Sequence, residues 1–402
     1  MTYDIAIAGG GLSGCFAAFH LAKAGLKVLV IEEHPFAGEP RFCTGIIGKE
    51  AFDRFDLPTA PIQNTYSSAV FYSPFGNYVR VSKNEPQAFI VNRAKFDQQL
   101  AQNAMSAGAE FYYSSRCIHF ENQPDRIYLT IQGENGLERK VEARTAILST
   151  GTYYGLHPKV GRVRPNQFLD TAQVEVDAND IKEVEVYFGA KIAPGSFAWA
   201  SPLSPGRARI GLSAYKNAHY HLTRFLESDY FKERVPEQIF EIKRKVIPIN
   251  SIKSTYGHRF LIIGDAAGQV KPTTGGGIYY GLLSAYLASQ NIIEAFQKDC
   301  FEESHFSLYQ KEWKKEIGKE LRIGLITRKL LRYITDHQID SLIRFLQQEE
   351  SLAIIEKYAD FDWHHNIILA LSKEPFFWLH LSKHILGLKA EVVLPRQRTK
   401  TL

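Results

Sequence analysis

The sequence predicts an α/β fold carrying an antiparallel insert and a helical C-terminal region, and three patterns carry that prediction. A buried strand, a glycine-rich turn, a helix and a second buried strand open the chain within residues 4–31. Residues 172–212 alternate apolar and polar side chains as antiparallel strands do. After Glu302 nearly every stretch has helical periodicity.

Length and composition bound what such a chain can be. It has 402 residues, 45% hydrophobic and 23% charged, enough for about two or three domains of ~150 residues and a large core. Cys15, Cys43, Cys117 and Cys300 stand far apart, without a CxxC pair or metal-ligand spacing. That usage predicts a reduced, cytoplasmic protein with no metal centre. Strand-like sequence begins at Tyr3, so no signal or transit segment is expected. No apolar run reaches the ~18 residues of a membrane span. The net charge of +5 is scattered, which does not point to nucleic acid but leaves room for peripheral contact with an anionic membrane.

The elements follow in order. Residues 4–8 read as a buried strand, 12–24 as a helix with small residues, and 28–31 as a second buried strand. A helix over 94–107 precedes strands around Ile118, Ile127 and Val141, and residues 146–148 read as a central strand. VEVYF and ARIGL mark the antiparallel insert. Residues 260–263 return to a buried strand, followed by a long helix from Gly277 towards Phe296. No repeat or low-complexity linker separates these segments, so the domains are expected to interleave. A Rossmann-like domain takes residues 1–62, 93–165 and 250–300, an antiparallel-sheet substrate domain 63–92 and 166–249, and the helical region 301–402.

The first turn, IAGGGLSG, places Gly9, Gly11 and Gly14 between strand and helix. Gly9 permits the tight turn, Gly11 lets backbone approach a pyrophosphate, and Gly14 lets helix and strand pack closely. Leu12 and Ser13 open the helix, whose N-terminus faces the phosphates. Glu32, eighteen residues after Gly14 and followed by Glu33, ends the second strand where a carboxylate reaches a ribose. A glutamate disfavours a 2′-phosphate, which leaves FAD or NAD.

The second turn decides between them. LIIGDAAGQVKPTTGGGIYYG runs a buried strand into Gly264-Asp265, then through Pro272 to Gly275, Gly276, Gly277 and a helix beginning at Ile278. Glycines at a helix start cost about 1 kcal/mol each relative to alanine, so three together need a reason. FAD is long: one turn holds its adenosine half, and its flavin half must be caught elsewhere. Asp265 is suited to ribityl hydroxyls, and amides at 275–277 to the flavin N1–C2=O edge, which becomes negative on reduction.

With these segments in hand, the chain resembles the geranylgeranyl reductases, FAD proteins of the p-hydroxybenzoate hydroxylase-like group. The resemblance reaches to about Leu331 through GxGxxG, PRFCTGIIG, VNRAKFDQQL, APGSFAWASPL, GDAAGQVKPTTGGGI and LYQKEWKKEIGKELR. It implies that Cys43 approaches flavin and substrate and is the candidate catalytic residue. It implies that Arg93, in an R-x-x-x-D helix start with Asp97, reaches the FAD phosphates or the domain junction; a surface ion pair is the alternative. Phe197, Trp199 and Pro202 match a substrate-lining YxWxFP segment, here FAWASP, with phenylalanine in place of the tyrosine and Ser201 in place of the second phenylalanine. Gly151 joins the cofactor set, although Thr150 stands where many relatives have aspartate.

The implied activity is FAD-dependent reduction of isoprenoid carbon–carbon double bonds, with NAD(P)H or ferredoxin as electron donor because no second dinucleotide fingerprint exists. A flavin monooxygenase or halogenase is one alternative, and a prenyl-lipid carrier without catalysis is another. ELRIGLITRKLLRYI places Ile323, Ile326, Leu330 and Ile334 on one helix face, with Arg322, Arg328, Lys329 and Arg332 among the rest. That helix and PFFWLHLSKHILGL read as amphipathic core, with a lipid-facing surface or tunnel cover as the other reading. An apolar tunnel is expected from the flavin past Trp199 towards the helices after Leu321, with Gly195 and Gly324 on its route. His364 and His365 are expected on a helix surface.

Overall fold

Strand Thr2–Ala8 is buried along its last four residues, and Val28–Ile31 along its whole length. Both read as apolar runs rather than alternations because both faces of the sheet are covered, one by helices and the other by the strands that carry Cys117, Phe120, Ile127, Leu129 and Ile131. The computed structural model, which describes residues 2–39, 42–236 and 241–382, places them side by side with Ile5 opposite Val28 and Ala8 opposite Ile31. Strand Glu138–Leu148 pairs parallel to the other side of Thr2–Ala8, and Phe260–Ile262 follows it. Glu110–Tyr112 closes the far edge, while Ser115–Asn122 and Ile127–Gly133 continue from Glu138–Leu148 as an antiparallel flap. Helix Leu12–Lys23 packs between the sheet and helix Ile278–Gln297 through Gly14, Ala17 and Ala18, which let the backbones approach.

A second sheet of seven strands runs in the order Lys243–Pro248, Phe168–Asp177, Arg207–Ala214, Ala198–Ser204, Val184–Tyr187, Ser68–Tyr72, Tyr78–Ser82. It is antiparallel except where Val184–Tyr187 lies parallel to Ser68–Tyr72. Between the sheets a small third one joins Ile46–Gly48, Ala88–Val91 and Ile62–Tyr66. Fold class and helical C-terminal region are thus as the sequence predicts.

The C-terminal region docks on the first sheet through helix Glu303–Leu331, 29 residues long. Trp313 is fully buried there and donates its Nε1–H to Thr255 Oγ1 at 2.9 Å. Burying such a side chain contributes several kcal/mol to the docking. Helices Asp336–Leu346, Glu349–Tyr358, His364–Ser372 and Pro375–Ser382 follow; the last residues of PFFWLHLSKHILGL lie outside the described residues.

The expected face of Ile323, Ile326, Leu330 and Ile334 is split. Ile326 and Leu330 are 54% and 55% exposed, whereas Arg328 is 1% exposed. The helix presents the side bearing Gly324 and Arg328 to the Pro272 loop: a Cβ on Gly324 would lie 3.1 Å from Pro272 Cδ. Among the described residues, no helix is long and apolar enough to cross a membrane.

Candidate functional site

Both glycine turns border one cavity of about 1400 Å³. Pockets for single small molecules run to about 1,000 Å³, so this one has room for a cofactor and a second molecule. The turns touch directly: a Cβ on Gly264 would stand 2.9 Å from Ser13 Oγ, and one on Gly281 2.6 Å from the same atom. Two motifs some 250 residues apart in sequence are one structural unit.

The first turn is built for a close backbone approach. Gly9 sits at φ +105°, and a Cβ there would lie 2.4 Å from Ser149 O. A Cβ on Gly14 would lie 2.0 Å from Gly9 O, which demands glycine, while one on Gly11 would meet nothing within 4 Å. Gly11 is the N-cap of helix Leu12–Lys23, no side chain caps it, and the first turn carries no acid. Its free amides therefore face the cavity as an anion site. Glu32 is 7% exposed; its Oε2 accepts the Gly10 N–H at 2.6 Å and its Oε1 the His34 N–H at 3.0 Å. Glu33 pairs with Arg116 at 2.6 Å.

In the second turn, Asp265 stands 3.5 Å from Lys245 Nζ with a partly open carboxylate. A Cβ on Gly277 would come within 2.9 Å of Asp265 Oδ1. Gly277 is the N-cap of helix Ile278–Gln297, again without a side-chain cap. Lys271 crosses beneath this loop: a Cβ on Gly276 would meet Lys271 Cε at 2.8 Å and Nζ at 3.4 Å. The ammonium donates to Asp362 Oδ1 at 2.7 Å and Phe361 O at 2.9 Å, and both side chains of the ion pair are almost wholly buried.

The cavity is lined by Gly9, Gly11, Leu12, Ser13, Glu32, Glu33, Cys43, Arg93, Gly151, Phe197, Trp199, Gly264, Asp265, Gly275, Gly276, Gly277 and Ile278. Three expected residues are not brought to it. Gly14 packs behind the turn against Gly9 and Ser149. Pro272 gives its carbonyl to Arg328 Nε at 3.0 Å. Pro202 lies past the aromatic pair, and its carbonyl accepts Asn64 Nδ2 at 3.3 Å and the Tyr66 hydroxyl.

Cys43 is half-buried, with its Sγ accepting the Gly45 N–H at 3.3 Å. Arg93 does not form a surface pair. It forks onto Asp97 at 3.0 and 2.8 Å in a largely enclosed position beside Cys43. Gly195 lines the cavity; Gly324 is packed on Pro272 and does not.

Sequence reasoning expected apolar C-terminal helices at the cavity but missed their polar contribution. His364 is not on a helix surface: it lines the cavity, with Nδ1 2.6 Å from Thr273 Oγ1 and Nε2 3.1 Å from Phe361 O. Buried Glu320 accepts the backbone N–H groups of His364 and His365, at 3.1 and 2.8 Å, and contacts His365 Nδ1 at 2.7 Å. Lys271 could have been singled out as a charge set between a buried strand and a glycine loop; nothing in the sequence marked Asp362 as its partner. Among the described residues no group of three side chains is arranged to hold a metal ion.

Burial, and then the charge of Lys271, hold His364 down to about 3 from its ordinary 6.5. The unfolded chain therefore takes up a proton that the folded ring refuses. Stability from this site is complete above about pH 6.5 and is lost progressively as pH falls from there towards about 3. We expect a loss of about 1–2 kcal/mol between pH 7 and 5, since the ring is partly open to solvent. His364→Gln should flatten that part of the profile in urea titrations; an unchanged slope would show that the ring is protonated in the fold.

The far wall is apolar. Leu331, Ile334, Ile339, Leu342, Leu346 and Ile367, from the C-terminal helices, line the same cavity as Trp199. The sequence model of the lycopene cyclase protein family matches residues 4–362. Digeranylgeranylglycerophospholipid reductase 2 of Methanothermobacter thermautotrophicus is 30% identical over 371 residues, covering 88% of this chain and 94% of that protein. Digeranylgeranylglycerophospholipid reductase of Methanocaldococcus jannaschii is 30% identical over 362 residues, covering 86% and 90%. Among solved structures, a geranylgeranyl bacteriochlorophyll reductase-like protein of Thermoplasma acidophilum aligns with a TM-score of 0.82 at 23% identity, over 92% of this chain and 99% of that one. A myxobacterial FAD-dependent chondrochloren halogenase aligns at 0.67 and 18% identity, over 96% and 90%. At these identities the structural likeness speaks for the fold.

Proposed function

The chain belongs to the geranylgeranyl reductase family and is matched along most of its length by the lycopene cyclase protein model, and from that premise we propose that it is an FAD-dependent oxidoreductase that saturates carbon–carbon double bonds of a geranylgeranyl-type isoprenoid lipid. One observation carries the reading: a single cavity joins both glycine turns to a long apolar wall.

The residues present fit FAD. A pyrophosphate fits the open space over Gly11 and the uncapped amides of helix Leu12–Lys23. Glu32 would take the ribose and Asp265 the ribityl chain, and Gly275, Gly276 and Gly277 would meet the flavin's pyrimidine edge. When bound, FAD supplies the hydride. The chain's own residues do the rest. Lys271 and the helix N-terminus at Ile278 favour negative charge at that edge. Phe197 and Trp199 would contact the alkene, and the apolar wall would exclude water, which isolated alkenes require because no carbonyl activates them. Electrons come from a donor of the NAD(P)H or ferredoxin class, and the rate of flavin reduction by each distinguishes them.

The test is anaerobic incubation of the chemically reduced protein with geranylgeranyl lipids, followed by mass spectrometry. A gain of two hydrogens per saturated bond is expected. Unchanged lipid, or oxygen-dependent hydroxylation of an aromatic probe, would sink the reading. Asp265→Ala should weaken FAD retention by about 1.5–3 kcal/mol for each lost charge-assisted bond, measured by flavin titration; unaltered affinity would remove Asp265 from the site.

A further inference from the structure

Helix Glu303–Leu331 turns one arginine inward. Arg328 is 1% exposed, yet it borders the same cavity as Trp199, Leu331 and Ile334. Its Nε–H donates to Pro272 O at 3.0 Å, and its Nη1 donates to Gly195 O at 3.3 Å and Ser196 Oγ at 3.0 Å. Its Nη2 is buried without a partner. Burial brings the guanidinium down to about 10, so it remains charged at neutral pH.

The other enclosed cations of the wall have counter-charges. Arg93 has Asp97 and Lys271 has Asp362, whereas no carboxylate among the described residues contacts Arg328. Asp336, at the same end of the cavity, holds the Ala190 N–H at 2.8 Å instead. One helical turn on, Arg332 lines this end, with its guanidinium 4.9 Å from the Tyr215 ring centre. Arg332 is exposed, so this end reaches solvent. A buried cation without its anion is strongly disfavoured, and its retention asks for an anion that arrives with a ligand.

We propose that Arg328, with Arg332 at the rim, forms a subsite for the phosphate group of the lipid substrate, whose chain then lies along Leu331, Ile334, Ile339 and Leu342. The proposal rests on the isoprenoid-lipid reading above and adds a head-group requirement to it. Three hydrogen bonds to the Pro272, Gly195 and Ser196 oxygens fix the guanidinium plane. Nη2 is the nitrogen left without a partner, and a phosphate that pairs with it would use the planar fork for which arginine is better suited than lysine.

The experiment measures binding to the FAD-loaded protein through the flavin absorbance change. Four ligands are compared: geranylgeranyl diphosphate, a geranylgeranyl glycerophospholipid, geranylgeraniol, and inorganic pyrophosphate as competitor. In the unaltered protein at least one phosphorylated lipid should bind about tenfold or more tighter than the alcohol, as a charge-assisted pair requires. The tighter of the two identifies a free diphosphate or a glycerophosphate as the head group. Pyrophosphate should compete with the phosphorylated lipids. Arg328→Gln should erase the preference and leave the alcohol's affinity nearly unchanged; Arg328→Lys should retain part of it.

Equal affinity for alcohol and phosphorylated lipids in the unaltered protein would overturn the subsite alone. Equal losses for all lipids in both variants would do the same, as would loss of FAD with the preference intact. No binding of any prenyl ligand would overturn the isoprenoid reading itself. The head-group comparison needs no variant, so a misfolded Arg328→Gln does not blunt it.

Discussion

Asp362→Ala is expected to destabilise the protein by about 3–5 kcal/mol, because it strands a buried ammonium. Lys271 Nζ lies 2.7 Å from Asp362 Oδ1, and the two side chains are only 5% and 3% exposed. The remaining support, Phe361 O at 2.9 Å and the Phe361 ring 4.6 Å beneath the ammonium, cannot replace a counter-ion. The pair joins segments 91 residues apart, so its loss should also loosen the C-terminal segment from the glycine loop. Urea denaturation of the FAD-free protein measures the first effect, and flavin titration the second. The double variant Lys271→Met/Asp362→Leu should recover most of the stability, since apolar replacement of a buried pair is often neutral. It should not recover flavin affinity, if Lys271 favours negative charge at the pyrimidine edge. A single-variant loss under about 1 kcal/mol, as exposed pairs give, would show that water reaches the pair.

Leu342→Trp is expected to cost long prenyl substrates heavily and short ones little. Leu342 lines the apolar extension of the cavity and is half-buried, so an indole there fills space rather than disrupting a closed core. Displacing roughly four methylenes of bound chain forfeits about 3 kcal/mol at ~0.8 kcal/mol each, or about two orders of magnitude in kcat/KM. A geranyl substrate that stops short of Leu342 should lose less than about threefold. Gly195 is a poorer position for this test: it has φ +68°, and a Cβ there would lie 2.9 Å from Tyr215, so a bulky residue would strain the backbone. Equal losses for geranyl and geranylgeranyl substrates would mean that the chain does not run along this wall.

Much of the fold was legible because its signals are local. A strand buried on both faces reads as an apolar run, and Val28–Ile31 has the bounds its sequence predicts. Helix Leu12–Lys23 begins at the residue where the glycine turn ends. The two glycine turns were legible for the same reason: a positive φ or a backbone contact at 2.0 Å admits only glycine, and that demand is written at the position itself. That both serve one ligand was argued from its length, whereas their contact at Ser13 is a tertiary distance.

What the sequence determined by itself was therefore the turns, the buried strands and the order of the layers, since each depends on neighbours within a few residues. Only the tertiary structure decided which charges face inward. Arg328 and Lys329 are adjacent in sequence, yet the first is enclosed and the second exposed; helical periodicity defines faces but not which face meets the Pro272 loop. The Lys271–Asp362 pair, the enclosure of His364 by the C-terminal segment, and the removal of Pro202 and Gly324 from the cavity wall are likewise distances between remote segments. No local pattern encodes such distances, because they are set by how the long helix Glu303–Leu331 seats its Trp313 against the first sheet.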